Sequence, residues 1–198
     1  MGSREWREEF EEVALVHLDR LYHMALRLCQ NRTEAEDLVQ ETYLRAFRHF
    51  DQFDPGTNCR AWLFAILRNT FLNRVKRQGR EILEPDEGEL ERGGAGFSET
   101  MAALPTPEEE LVKHVVDGDL VRALEGLPLR FREVVLLADL EECSYKEIAR
   151  ICGIPMGTVM SRLFRGRQLL RKALVAAFRE RKVAGRDQVV YQCAQGDI

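Results

Sequence analysis

Ser144-Tyr145-Lys146-Glu147-Ile148-Ala149-Arg150-Ile151-Cys152-Gly153-Ile154-Pro155-Met156-Gly157-Thr158-Val159-Met160-Ser161-Arg162-Leu163-Phe164-Arg165 is the stretch from which the fold is read. Ser144 to Glu147 has the form of a capping box. In that motif a hydroxyl accepts from the N3 amide while the N3 carboxylate reaches back to the cap. It predicts a helix through Cys152, with Ile148, Ala149 and Cys152 facing inward. Gly153 supplies a sharp turn, and Ile154 can plug the angle between two helices. A second helix starts between Pro155 and Thr158 and runs past Leu170. Its apolar positions, Val159, Leu163, Gly166 and Leu170, are spaced four, three and four apart, a helical period. That spacing leaves Thr158, Ser161, Arg162 and Arg165 on an outer face near the N-terminal end. Two such helices make a helix-turn-helix over residues 144–172. Its second helix presents its first turns to base edges and its later basic residues to phosphates. A plain helical hairpin with a solvated basic face is the alternative, since basic residues gather at helix C-termini. Cap, turn glycine, proline start and an acid-free second helix together favour DNA.

The chain has 198 residues, 45% hydrophobic and 31% charged, the composition of a globular protein with room for one medium or two small cores. No apolar run approaches the roughly 20 residues that span a bilayer. The first residues are polar and acidic, with no apolar segment of a signal peptide, so a cytoplasmic location is expected. Cys29, Cys59, Cys143, Cys152 and Cys193 form no C-x-x-C pair and read as free or buried thiols. His17, His23, His49 and His114 are dispersed and lack ligand spacing. No catalytic constellation is present, and Gly93 to Gly96 lacks the strand and helix of a phosphate loop. The sequence therefore predicts neither an enzyme, nor a metal site, nor a cofactor.

The net charge of −4 hides a strong segregation. Residues 59–80 hold six basic residues (Arg60, Arg68, Arg74, Lys76, Arg77, Arg80) and no acid. Residues 81–110 hold ten acidic residues and one basic, Arg92. Residues 153–174 hold five basic residues (Arg162, Arg165, Arg167, Arg171, Lys172) and no acid. The middle segment also carries Gly93-Gly94-Ala95-Gly96 and Pro105-Thr106-Pro107, so it reads as a flexible acidic linker. The expected organisation is an all-α chain of two small helical domains, 4–80 and 107–183. They are joined by a linker at 81–106 and followed by a tail at 184–198.

Within the first domain, Thr33-Glu34-Ala35-Glu36 has capping-box form. After it, Ala35, Leu38, Val39, Thr42, Tyr43, Ala46 and Phe47 recur at helical spacing. Upstream, Leu18, Leu21, Tyr22, Ala25, Leu26 and Cys29 form another stripe. Downstream, a helix is expected over 61–75, after the turn residues Asp54-Pro55-Gly56. This basic helix carries Asn69 and Asn73 four apart on one face, and Arg74, Arg77 and Arg80 continue close to it. Asn amides can bond base edges, arginines can meet phosphates and aromatics can stack on unpaired bases. For Trp62, Ile66 and Leu67 a core role is the better reading; for Asn69, Asn73, Arg74 and Arg77, nucleic acid.

The run Ala35-Glu36-Asp37-Leu38-Val39-Gln40-Glu41-Thr42-Tyr43-Leu44-Arg45-Ala46, with Arg60-Ala61-Trp62-Leu63 and Arg68-Asn69-Thr70, resembles region 2 of bacterial sigma factors. Residues 144–172 resemble region 4. Two regions and a linker, with nothing resembling regions 1 or 3, is the layout of extracytoplasmic-function (group 4) sigma factors. The resemblance implies a transcription initiation factor that binds core RNA polymerase through the β′ clamp helices and the β flap. By matching positions it places Asp37, Gln40, Glu41, Leu44 and Arg45 at the clamp helices. Asp37, Glu41 and Leu44 lie opposite the core stripe, where an exposed Leu between acids is a plausible anchor. The resemblance also implies melting of the −10 element, with Thr57, Asn58 and Arg60 near an extruded base and Asn69 and Asn73 on the reading helix. For duplex −35 DNA it implies Thr158, Ser161, Arg162, Arg165 and Arg167, with Lys172 beyond them. Met160 departs from the pattern, standing where many members carry Arg or Lys.

The family implies a cognate anti-sigma factor, and the lack of a long apolar run predicts no membrane insertion. Two other classes fit parts of the sequence. A conventional dimeric regulator with a C-terminal helix-turn-helix would bind duplex DNA alone. An interaction protein that sequesters other factors would not need acid-free helices.

Overall fold

The computed structural model describes residues 3–79 and 117–194, with side chains over 6–79 and 118–179. The expected linker at 81–106 lies outside the described residues. The described elements are helical: α1 Ser3–Ala14, α2 Leu18–Cys29, α3 Arg32–Arg48, α4 Cys59–Arg77, α5 Asp117–Glu125, α6 Leu129–Val135, α7 Tyr145–Cys152 and α8 Met156–Ala194. There is no strand among them. Short 3-10 turns follow α1 and α3, and a π turn, Leu136–Leu140, follows α6. Helix α8 continues through much of the segment expected as a tail, ending at Ala194.

Contacts group described residues 3–79 with 128–166 into one compact unit, and 117–127 with 167–194 into another. In the first, α2 packs on α3, α3 on α4, and α4 on both α2 and α7. Leu21, Ala25, Leu38, Leu63, Phe64 and Leu67 are buried along α2, α3 and α4. Val134, Leu136, Leu137, Ile148, Val159 and Leu163 are buried around the turn and the helix-turn-helix. Each such Leu, Ile, Val or Phe side chain contributes about 1.5–3 kcal/mol relative to exposure. In the second unit, Ala123, Leu124, Leu127 and Leu174 are buried.

Local chemistry explains the element boundaries, and corrects three expectations. Helix α3 is capped by Asn31, whose Oδ1 accepts from the Glu34 amide at 3.0 Å. Thr33 is already inside the helix, and the expected Thr33–Glu36 capping box does not form. Gln30 ends α2 in the left-handed region at φ 57°, which brings the chain extended into Asn31 and starts the helix two residues early. Glu36 instead accepts from Arg32 Nε at 3.0 Å. Helix α4 begins at Cys59 rather than residue 61, because the Asn58 side chain accepts from the Ala61 amide. On α2 the buried set is Leu21, Met24, Ala25 and Leu28, whereas Leu18 is 45% exposed. The stripe is thus rotated by about one residue from the expected one. On α3, Ala35, Leu38, Val39, Thr42 and Ala46 are buried as the period predicts.

An aromatic group ties α1 to the end of α3: Trp6 lies 4.8 Å from Phe47, and Phe10 lies 5.1 Å from Phe50. Trp62 joins it against Phe53 at 5.2 Å, consistent with packing rather than base stacking. Tyr43 Oη donates to the Ala14 carbonyl at 3.0 Å. In α8, Gly166 is required by proximity: a Cβ there would stand 2.7 Å from Val135 Cγ2. The position counted as apolar from its spacing is a close helix crossing.

Candidate nucleic-acid interface

Helix α4 presents Asn69, Asn73, Lys76 and Arg77 to solvent. Asn69 and Asn73 share one face, as their spacing dictates. Arg74 does not stay close to it, against expectation. At 100° per residue it points toward α3, where Nε donates to Glu41 Oε2 and Nη2 to the Asp37 carbonyl, both at 2.8 Å. The loop before α4 is built on Asp54, whose Oδ1 accepts from the Gly56 amide at 3.0 Å and whose carbonyl accepts from the Thr57 hydroxyl at 2.7 Å. Thr57 and Asn58 are exposed and Arg60 is half-buried. Asn58 is more than a cap: its Nδ2 donates to Glu147 Oε1 at 2.6 Å. Thr57, Asn58, Trp62 and Ala65 line a cleft of about 450 Å³ with Glu147 and Arg150 of α7.

The helix-turn-helix forms as read. Ser144 Oγ accepts from the Glu147 amide, Glu147 Oε2 accepts from the Ser144 amide at 2.8 Å, and Gly153 ends α7 in the left-handed region at φ 67°. Only glycine takes that conformation without strain. On α8, Ser161 is exposed, Thr158 and Arg165 are half-buried, and Arg167 and Lys172 are exposed further along. Arg162 departs from the expected outer face. Its side chain is 13% exposed and stands 4.0 Å from Glu133 Oε1. Glu133 on α6 is 3% exposed and accepts from Arg68 of α4 at both oxygens, at 2.7 and 3.0 Å. One buried carboxylate thus faces an arginine from each basic block. Sequence reading missed this pair, because an acid inside an apolar run gives no sign of its partner.

The positions matched to polymerase converge. Asp37, Gln40 and Leu44 are exposed, and they line one cleft of about 500 Å³ with Glu41, Arg74 and Arg77. Arg45 Nη2 donates to Glu41 Oε1 at 2.6 Å, so Glu41 is held by two arginines. Burial acts to raise the Glu41 carboxyl, but the bonds from Arg74 and Arg45 outweigh it and hold the group below the usual carboxylate range.

Glu147 behaves similarly. Burial pushes it up, while hydrogen bonds from Ser144 and Asn58 outweigh that and hold it down. A carboxyl depressed in the folded state gives stability that is present above its unfolded pKa and is lost as pH falls through its folded pKa. Thermal melts taken from neutral pH down through about pH 4 should therefore show a steeper acid loss for the wild-type chain than for Glu147→Gln. Parallel profiles would show that the charge is not being used.

Among the described residues no cluster of His, Cys, Asp or Glu could hold a metal. Burial pushes Cys29, Cys59 and Cys143 up to about 11 and Cys152 to about 12, so these thiols stay protonated and unreactive at neutral pH. No helix among the described residues is long and apolar enough to cross a membrane.

Described residues that are helical and hold both a helix-turn-helix and a basic, Asn-bearing helix have the parts of a promoter-recognition protein. A family model for Sigma-70 region 2 matches residues 15–81, and one for Sigma-70 region 4 matches 117–170. The chain belongs to the extracytoplasmic-function (ECF) RNA polymerase sigma factors. It is 39% identical over 173 residues to ECF RNA polymerase sigma factor SigE of Mycolicibacterium smegmatis, spanning 87% of this chain and 64% of that protein's length. It is 30% identical over 168 residues to SigW of Bacillus subtilis, spanning 85% of this chain and 90% of that protein. Among solved structures it resembles the sigma factor RpoE in complex with the anti-sigma factor NepR from Bartonella quintana. There the TM-score is 0.64 and the identity 34%, over 84% of this chain and 97% of that one. It also resembles CnrH in complex with the cytosolic domain of CnrY, with TM-score 0.59 and identity 26%, over 86% of this chain and 90% of that one. The alternative of a conventional regulator is not favoured, since the N-terminal half matches region 2 rather than a ligand or dimerisation domain.

Proposed function

We propose that this chain acts as an alternative sigma factor by recruitment, without catalysing a reaction, in the cytoplasm where polymerase works. Core RNA polymerase is bound through Asp37, Gln40, Glu41, Leu44 and Arg45 on α3. The −10 element is met as single strand by Thr57, Asn58, Arg60, Asn69, Asn73, Arg74 and Arg77. The −35 element is met as duplex by Thr158, Ser161, Arg162, Arg165, Arg167 and Lys172. The observation that carries this reading is the presence, in one chain, of two acid-free basic stretches, 59–80 and 153–174, and a polar α3 face of Asp37, Gln40 and Glu41 with an exposed Leu44 at its edge.

The physical scheme follows from these parts. Arginines and lysines on phosphates supply sequence-independent, salt-dependent affinity. Extruding a base costs a few kcal/mol of unstacking, offset by loop and backbone contacts. Asn58, Arg74 and Arg162 have intramolecular partners, so engaging DNA costs them those bonds. A cognate anti-sigma factor is part of the proposal, supported by the relative solved with NepR.

The test is reconstitution: purified chain plus core polymerase of its own organism, transcribing a genomic template. Initiation at defined promoters is expected, and its absence with active core enzyme would falsify the reading. Within it, Arg165→Ala should weaken −35-dependent initiation by about 1–3 kcal/mol if the guanidinium bonds a base edge in bidentate fashion. An equal loss on a scrambled −35 sequence would make Arg165 a phosphate contact instead.

A further inference from the structure

The outward surface of the first turns of α8 is not uniformly polar. Met156 and Phe164 are 45% and 57% exposed, and Met160 lies half-buried between them. Steps of four at 100° each advance this row by about 40° a step, from the edge of the buried Val159 and Leu163 face at Met156 outward to Phe164. Beside that row runs a second one, Ser161 and Arg165, at the same spacing. Ser161 donates its hydroxyl proton to the Thr158 carbonyl at 3.1 Å, which leaves its oxygen able to accept from outside. Gly157, at the start of the same face, has nothing within 4 Å of where a Cβ would stand, so another molecule can come close there.

A single exposed apolar side chain needs no explanation, but a row of three beside polar side chains able to bond bases does. Charge selects the occupant. Residues 153–174 carry five basic residues and no acid, which suits a polyanion. A DNA duplex offers phosphates at the groove edges and, inside the major groove, the C5 methyl group of thymine as its apolar feature. Methionine is suited to such a contact, because its thioether is flexible and polarizable and adapts to the surface it meets.

We propose that Met160 is a specificity-determining residue of the −35-reading helix, packing against the C5 methyl of one thymine. Phe164 covers the same groove wall one turn on, and Ser161 and Arg165 bond the neighbouring base edges. The proposal rests on the sigma-factor reading of the preceding subsection. Burying about one methyl group corresponds to roughly a fourfold change in binding.

The test begins with a promoter found by the reconstitution above, using full-length chain and core polymerase. Each thymine of its −35 element is replaced singly by uracil, which removes the methyl and nothing else. Wild-type holoenzyme should lose roughly threefold to fivefold in promoter binding at one position. Met160→Ala should bind the thymine and uracil promoters equally at that position, and Phe164→Ala should keep most of the discrimination. Loss of discrimination in Phe164→Ala alone would assign the methyl to Phe164 and overturn the proposal. So would equal binding of all thymine and uracil promoters by wild type. If, in that case, Met160 is also shielded from hydroxyl-radical oxidation in the holoenzyme before DNA is added, the row belongs to a protein surface. Failure to initiate at any promoter would instead remove the sigma-factor reading itself, so the two failures are separable.

Discussion

Glu133→Ala should destabilise the first unit by about 3–5 kcal/mol, the usual cost of removing one partner from a buried ion pair. Glu133 and Arg68 have side chains only 4% and 16% exposed, and the pair is bidentate. Removing the carboxylate leaves the Arg68 guanidinium without its anion in a poorly solvated site, and Arg162 loses a neighbour at 4.0 Å. The penalty is mostly this uncompensated charge and not the worth of the pair. The double replacement Arg68→Met with Glu133→Leu should therefore be far milder than Glu133→Ala, costing little or even stabilising. Urea unfolding of the two variants and the wild type, with unchanged m-values, gives the comparison. A loss below about 1 kcal/mol in Glu133→Ala would mean that the pair is solvated in solution.

Leu44→Arg should weaken binding of the chain to core polymerase by about 2 kcal/mol, roughly thirtyfold in Kd, while leaving thermal stability nearly unchanged. Leu44 is 57% exposed, so no core contact is lost on replacement. It stands at the edge of the Asp37, Gln40 and Glu41 face, and apolar anchors ringed by polar groups carry a disproportionate share of interface energy. Affinity can be read by fluorescence anisotropy of labelled chain titrated with core enzyme. Equal affinity of variant and wild type would move the polymerase contact elsewhere. Arg45→Ala is a useful contrast. It leaves Glu41 still accepting from Arg74 at 2.8 Å, so a smaller loss is expected.

Leu44 and Glu133 differ in how far local sequence determines their place. Leu44 could be placed, because the period of α3 fixes which face is buried and leaves it opposite. Glu133 could not, because its role depends on Arg68, 65 positions away in sequence. Asn58 and Glu147 are 89 apart, and Arg74 and Glu41 are 33 apart. The acidic partners of the basic blocks thus come from distant elements, and a charge count along the chain cannot assign them. Asn31 and Thr33 form a different case. Both are good cap residues within three positions of each other, and only the left-handed turn at Gln30 decides between them.

The helix-turn-helix at 144–172 shows both kinds of determination within one motif. Its two helices, the Ser144–Glu147 capping box, the Gly153 turn and the buried Val159–Leu163 face are legible in the local sequence, because each depends on residues within one or two turns of one another. The same short-range rules determined the all-helical class and the segregation of charge that marks the two basic helices. Packing against distant elements fixes what individual side chains on those helices do. It turned Arg162 toward Glu133, drew Arg74 onto α3, gave Asn58 to Glu147 and left Met156, Met160 and Phe164 in an outward row. The physical reason is range. Helix formation is decided by backbone geometry and near neighbours, whereas the fate of a long charged side chain is decided by whichever counter-charge the packing brings within hydrogen-bond distance.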